Sequence, residues 1–227
     1  MLMSKGLNPI VLQGIQRSGT NFLSEVLMAG NYRVLNQVDP PRDDPRHKHF
    51  RWFADKDLIA MDYRYCNSVT ATTIGEVNAT AGWPEGTRHL VLFRDPEDWL
   101  HAIFRWGVDN EWFASEAEFI ETGKHRAFMA EWHAFYGHWH RLAAADPDHV
   151  LILRYQDLKT EPAEVLARVD RFAGVARQTP IDPAVSIRKV RHSKPLDAPR
   201  QNLTSAQSLE AAAMEGAFDW RRCLSAR

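Results

Sequence analysis

The stretch Ile10-Val11-Leu12-Gln13-Gly14-Ile15-Gln16-Arg17-Ser18-Gly19-Thr20-Asn21-Phe22-Leu23 decides how this chain is read. Its start, Ile10 to Leu12, is a short β-branched apolar run of the kind that forms a strand buried on both faces. Its end opens a different period, with Phe22, Leu23, Val26 and Leu27 on one helical face. Between them Gly14 and Gly19 have the G-x4-G spacing of a P-loop. The glycines permit a tight turn, and backbone N–H groups at the following helix N-terminus then point at a phosphate-like anion. A nucleotide kinase would continue with Lys and a magnesium-binding Ser or Thr. This chain has Thr20 and Asn21 there, and its cation sits inside the loop as Arg17. The loop is therefore expected to hold an anion without a metal. A plain strand–turn–helix capped by Ser18 or Thr20 is the competing reading of the same residues.

Apolar runs of similar length recur at Leu58–Met61, Leu90–Phe93 and Val150–Leu153. Helical periods lie between them. Phe128, Trp132, Phe135, Tyr136, Trp139 and Leu142 step by three and four and predict a long helix with an apolar stripe, Trp132 and Trp139 being core by this spacing. Strands alternating with helices predict an α/β fold, a single domain over 1–227 with a central parallel sheet flanked by helices. Two stretches fit neither period. Residues 39–51 are charged and Pro-rich and predict an active-site loop. Residues 178–203 carry Pro180, Pro183, Pro195 and Pro199 and predict a flap over the site.

Ligands of open α/β sheets bind beyond the carboxyl ends of the strands. Here those ends are cationic: Arg17 follows the first strand, Arg94 the third run and Arg154 the fourth. One such arginine is usually a surface ion-pair partner. Three together, with a Gly loop before a helix, point to a polyanionic ligand. Asp95-Pro96 after Arg94 reads as a helix cap with Pro at the first helical position, which places Arg94 beside a helix N-terminus.

The chain has 227 residues, 44% of them apolar and 25% charged, with a formal net charge of −1. This is a globular balance. It lacks the basic excess of a general nucleic-acid binder, so an anion site must come from local clustering. Cys66 and Cys223 stand alone, away from any metal-ligand spacing, which argues against a disulfide scaffold or zinc module and fits reduced thiols in a cytoplasm. Residues 1–8 lack the apolar core of a signal peptide. No run approaches the ~20 apolar residues of a membrane span.

Taken together, these segments resemble the PAPS-dependent sulfotransferase family, PAPS being 3′-phosphoadenosine-5′-phosphosulfate. Gln16-Arg17-Ser18-Gly19-Thr20-Asn21-Phe22 is similar to the family's 5′-phosphosulfate loop, commonly Pro-Lys-Ser-Gly-Thr-Thr-Trp. Arg94-Asp95-Pro96-Glu97-Asp98-Trp99 resembles the 3′-phosphate motif, usually Arg-Asn-Pro-x-Asp. Arg154-Tyr155-Gln156-Asp157-Leu158 resembles the Tyr-Glu-Asp-Leu segment. The resemblance spans roughly residues 10–175 by strand–helix order. It departs at three places. Arg17 stands where cytosolic animal enzymes have Lys. Ala102 stands where the 3′ motif usually has Ser. The C-terminal Arg-Lys-Gly motif has no clean match, leaving Arg188, Lys189, Arg191 and Lys194 as candidates or as a solvated charge run.

The resemblance implies a P-loop-like sulfotransferase fold and roles for named residues. Arg17 would stabilise the leaving group. Ser18, Gly19, Thr20, Asn21 and Phe22 would cradle the 5′-phosphate, Arg94 would bind the 3′-phosphate, Tyr155 would lie near the adenine and Arg191 would add a nucleotide contact. His49 in Arg46-His47-Lys48-His49-Phe50 resembles the family's catalytic His, and a histidine suits proton abstraction near neutral pH. Lys48 would add charge over the sulfuryl group. His47 is the rival base, a carboxylate such as Glu76 or Asp62 a further one, and a solvated basic loop the non-catalytic reading. Trp52, Trp83, Trp99, Trp106 and Trp112 could line an acceptor pocket. His133, His138 and His140 read as structural. The implied co-substrate is PAPS, with adenosine 3′,5′-bisphosphate (PAP) as product, and no metal. The implied partner is a hydroxyl-bearing small molecule or carbohydrate. A nucleotide kinase with a degenerate P-loop, a non-catalytic PAP- or PAPS-binding module and an interaction protein that mimics the motifs are the alternatives.

Overall fold

The computed structural model describes residues 8–52 and 71–176, together with Leu203, Asp219 and Arg221. Three strands, β1 (Ile10–Gln13), β2 (Arg88–Phe93) and β3 (Val150–Arg154), form a parallel sheet in the order β1-β2-β3. The helices are α1 (Thr20–Ala29), α2 (Ile74–Ala81), α3 (Pro96–Asp109), α4 (Glu116–Glu121), α5 (Lys124–Ala145), α6 (Tyr155–Thr160) and α7 (Pro162–Ala173). The predicted strands at Ile10, Leu90 and Val150 are present, as is the long aromatic helix. The run Leu58–Met61 and nearly all of the 178–203 segment, including Arg191, lie outside the described residues.

Strand side chains alternate between two cores because successive Cβ atoms leave opposite faces of a sheet. Val11, Val91 and Phe93 face a core built with α3, α4 and α5. Ile10, Leu12, Leu90 and Leu92 face a second core built with α1 and α7. Burial on both faces is what continuous apolar strands require. The α/β architecture with helices on both faces of a parallel sheet follows.

Register brings the functional segments level. Gln13 pairs with Val91, and Phe93 pairs with Arg154. The loop after β1, Arg94 after β2 and Tyr155 after β3 therefore emerge together at the carboxyl edge of the sheet. Residues 39–51 run as turns beside that edge, as the Pro-rich sequence predicts. They are not a solvated basic loop: His47, Lys48 and Arg51 are each buried.

Candidate active site

The loop 14–19 is shaped by two close approaches. A Cβ on Gly14 would stand 2.6 Å from Ser18 Oγ and 2.9 Å from the Leu92 carbonyl oxygen, so only glycine lets the loop turn over β2. Gly19 has φ +99°, and a Cβ there would lie 2.3 Å from the Tyr155 ring. Arg17 also sits in left-handed backbone, at φ 67°. This conformation disfavours a side-chain-bearing residue by ~1–2 kcal/mol, and such outliers cluster at ligand sites. The turn leaves Arg17 exposed while Gln16 and Ser18 are buried. The first turn of α1 contains no acidic residue, and neither Ser18 nor Thr20 serves as its cap, Gly19 occupying that position without a side-chain bond. The backbone donors of a helix N-terminus are thus presented beside an exposed guanidinium, a combination suited to an anion.

The loop is pinned from α3 and α5. The Trp99 indole donates to the Gln16 carbonyl at 2.7 Å. The Ile15 N–H donates to the Tyr136 hydroxyl at 3.4 Å, and that hydroxyl donates to the Leu92 carbonyl at 2.9 Å. Burial raises the Tyr136 pKa, so it stays a neutral donor. The Trp132 indole donates to the Arg94 carbonyl at 3.1 Å. The aromatic helix is thus scaffolding for the site. Trp52, Trp83 and Trp99, expected to line an acceptor pocket, are instead core residues, at 0%, 9% and 1% exposure. Their large apolar area is taken out of water in the core with α3, α4 and α5. Trp106 and Trp112 remain partly exposed, packed edge-to-face at 4.5 Å, with the Arg42 guanidinium 5.6 Å from the Trp106 ring.

The 47–51 segment is tied to the same loop. The Gly14 N–H donates to the Lys48 carbonyl at 3.0 Å, and the His49 ring Nδ1 lies 2.6 Å from the Gly14 carbonyl oxygen. A carbonyl oxygen only accepts, so Nδ1 carries the proton and Nε2 the lone pair. Burial holds the His49 pKa well below 6.5, so the ring is neutral at pH 7. His47 is in the opposite state. Its Nδ1 accepts the His49 backbone N–H at 2.9 Å, which puts its own proton on Nε2, and burial pushes its pKa down to about 4. Of the two rings only His49 has an uncommitted lone pair. Glu76 is a poor base. Its carboxylate accepts from the Thr72 N–H at 2.6 Å and the Thr72 hydroxyl at 2.9 Å, which holds its pKa below the ordinary carboxylate value. Asp62 lies outside the described residues.

Lys48 forms an ion pair with Asp39, so its ammonium is shared with a carboxylate here. Arg51, which sequence reading passed over, is 5% exposed and bonds the His49 carbonyl at 3.1 Å and Gln16 Oε1 at 2.6 Å. It is paired with Glu131 of α5, itself 4% exposed. Glu131 gave a usable signal. It sits on the apolar face of the long helix between Phe128 and Phe135, and a buried carboxylate needs a cation.

At the other strand ends the arginines divide. Arg154 is engaged by two carboxylates. Its Nε donates to Asp95 Oδ1 at 2.7 Å, it pairs a second time with Asp95, and its Nη1 donates to Asp157 Oδ1 at 3.2 Å. Asp95 stands at the N-cap position of α3 with Pro96 following, but makes no side-chain cap bond, because the guanidinium takes its carboxylate. Arg94 has a longer contact, 3.4 Å to the mostly exposed Asp98, and lies 5.1 Å over the Tyr155 ring. Tyr155 therefore touches both the donor-loop glycine and Arg94. Ala102 is buried in α3. His133 and His138 are buried along α5 and His140 is partly buried there. Among the described residues no helix is long and apolar enough to cross a membrane.

A family model described as "Sulfotransferase domain" matches residues 7–224. Nodulation protein H of Rhizobium tropici is 24% identical over 194 residues, spanning 73% of this chain and 75% of that protein. Two solved structures are similar in chain course. The sulfotransferase from Alicyclobacillus acidocaldarius has a TM-score of 0.49 at 14% identity, covering 78% of this chain and 85% of its own. Mouse sulfotransferase SULT7A1, complexed with PAP, has a TM-score of 0.47 at 15% identity, covering 95% of this chain and 78% of its own.

Proposed function

Because the chain belongs to the sulfotransferase domain family and is a transferase, we propose that it moves a sulfuryl group from PAPS to the hydroxyl of a small-molecule or carbohydrate acceptor, releasing PAP. The observation that carries this reading is the join between two loops. The glycine that shapes the anion-binding turn also accepts the His49 Nδ1–H, so a neutral base with its lone pair on Nε2 stands against the donor loop.

In this reading the backbone N–H groups of Ser18, Gly19 and Thr20, with Asn21 and Phe22, hold the 5′-phosphate, and Arg17 faces the charge that builds on it. Arg94 holds the 3′-phosphate, with Tyr155 near the adenine. With Ala102 buried, the 3′ side relies on Arg94 and on basic residues such as Arg191. The acceptor oxygen attacks sulfur in line as the bond from sulfur to the 5′-phosphate oxygen breaks. The hydroxyl proton passes to His49 Nε2, and the electron pair of the broken bond leaves on PAP. General-base help of this kind supplies ~10²–10⁴ in rate. A positioned cation on the leaving oxygen supplies ~10²–10³. Lys48 joins Arg17 only by exchanging Asp39 for the sulfuryl oxygens. The partly exposed pair Trp106 and Trp112, near the Arg42 end of the same loop, offers an acceptor a ring-stacking surface.

Titrating the purified protein calorimetrically with PAP, with and without EDTA, tests the nucleotide site. Micromolar binding unaffected by EDTA is expected, and no binding by folded protein would overturn the reading. With labelled PAPS and an acceptor screen, His49→Ala is expected to abolish transfer while sparing PAP binding. Binding without transfer to any acceptor by the parent protein would leave a binding module.

A further inference from the structure

We infer that Arg51 is a positioning residue: its single guanidinium, anchored on Glu131 of α5, locks the loop that carries His49 to the loop that carries Arg17. This rests on the reading of His49 as the base. Nη1 donates to the His49 carbonyl and Nη2 to the side chain of Gln16, the residue immediately before Arg17. The two groups that an in-line displacement must hold opposite each other are thus each joined to one rigid plane. The guanidinium itself is fixed three ways, by the Glu131 ion pair, by the two bonds and by the Phe135 ring 5.9 Å away.

The chemistry of the pair argues that it serves more than packing. A buried ion pair is on balance no more stabilising than well-packed apolar residues of the same volume. Here it lies where only a planar fork can reach both loops. A lysine ammonium, a point charge on a flexible stem, cannot reproduce two divergent bonds of fixed angle. Gln16 is in turn held through its carbonyl by Trp99, so the lock extends to α3. The charged and titratable groups that act on His49 are His47, Lys48 and Arg51 of its own segment, with Asp39 paired to Lys48 and Glu131 of α5 paired to Arg51. The cations Lys48 and Arg51 both disfavour the imidazolium form.

Long-range proton–nitrogen correlation spectra of protein carrying isotope-labelled histidine report the tautomer of each ring directly. The His49 signals are identified by their loss in His49→Gln. The parent is expected to show His49 solely as the Nδ1–H tautomer, neutral throughout the neutral range. Arg51→Met combined with Glu131→Met removes the lock without leaving a lone buried charge. In it His49 is expected to populate both tautomers and to titrate closer to the ordinary histidine value. Arg51→Lys keeps the charge and loses the fork, so a mixed tautomer with titration still depressed is expected, and it decides the matter if the double variant does not fold. A parent-like His49 spectrum in either folded variant overturns the inference. Normal transfer from labelled PAPS by His49→Ala, with the parent-like His49 spectrum of the unaltered protein intact, would instead overturn the reading on which it rests.

Discussion

Replacing Gly19 by Ala tests the donor loop at the position where sequence and geometry constrain it most. Gly19 is the residue before α1, at φ +99°, and a Cβ there would stand 2.3 Å from Cδ2 and 2.6 Å from Cε2 of Tyr155. Two costs follow. Left-handed backbone disfavours an L-residue by about 1–2 kcal/mol. The overlap with the ring adds the cost of overpacking, about 1–3 kcal/mol. The sum, ~2–5 kcal/mol at about 2–4 °C per kcal/mol for a chain of this size, lowers the melting temperature by roughly 4–20 °C. Tyr155 is only partly buried and can relieve the overlap by turning away, which places the true value toward the lower end. Turning has its own consequence. The ring is the surface over which Arg94 lies, so PAP affinity should fall at least about tenfold, ~1.4 kcal/mol. Scanning calorimetry and PAP titration measure both effects. In the double variant with Tyr155→Ala the steric cost is gone while the backbone cost stays, so the combined destabilisation should be less than the sum of the single ones. A Gly19→Ala protein that melts within about 1 °C of the parent and binds PAP equally well would mean that neither the backbone nor the ring constrains this position.

The arginines at the strand ends should behave oppositely. Arg94→Ala is expected to weaken PAP binding with little change in melting. Arg154→Met should leave PAP affinity within about threefold but destabilise the fold by ~1–3 kcal/mol, because Asp95 and Asp157 lose their part-buried partner. The same two measurements, melting and PAP titration, tell them apart. The buried histidines set the acid stability. His47 and His89 have folded-state values pushed down to about 4 and about 3 by burial, so below pH 6.5 the unfolded chain binds more protons. Stability should therefore be flat above 6.5 and fall progressively as pH drops toward 4 and 3. His89→Gln, which can keep the bond to Asn78 Oδ1 seen at 2.9 Å, should make that fall shallower in denaturant titrations. His49→Ala and His47→Ala should differ in kind: the first removes transfer at every pH, whereas the second, which removes only the acceptor of the His49 N–H, leaves measurable transfer from labelled PAPS.

Much of the site was legible because its constraints are local. Glycine spacing, an apolar run and the following helical period are properties of neighbours in sequence, and they located the loop 14–19, Arg94 and Tyr155 at one edge of the sheet. A side chain whose partners lie across the fold is not legible in this way. Arg154 resembles an anion-binding arginine until register sets Phe93 beside it and Asp95 within reach. Trp52 and Trp99 resemble pocket residues until the fold buries them, Trp52 against Phe50 and Trp83, and Trp99 against Phe128. Arg51 looks like one more charge in a basic run, and its partners Gln16 and Glu131 are 35 and 80 positions away.

Periodicity and glycine spacing act over a few residues, so the strand–helix alternation, the phosphate-type turn without a kinase lysine and a basic segment carrying histidines are all legible in the chain alone. Which histidine keeps its lone pair, which arginine pairs with aspartates and which charges are buried together emerge only in the folded molecule. Those outcomes are set by hydrogen bonds and desolvation between segments far apart in the chain, which no local pattern encodes.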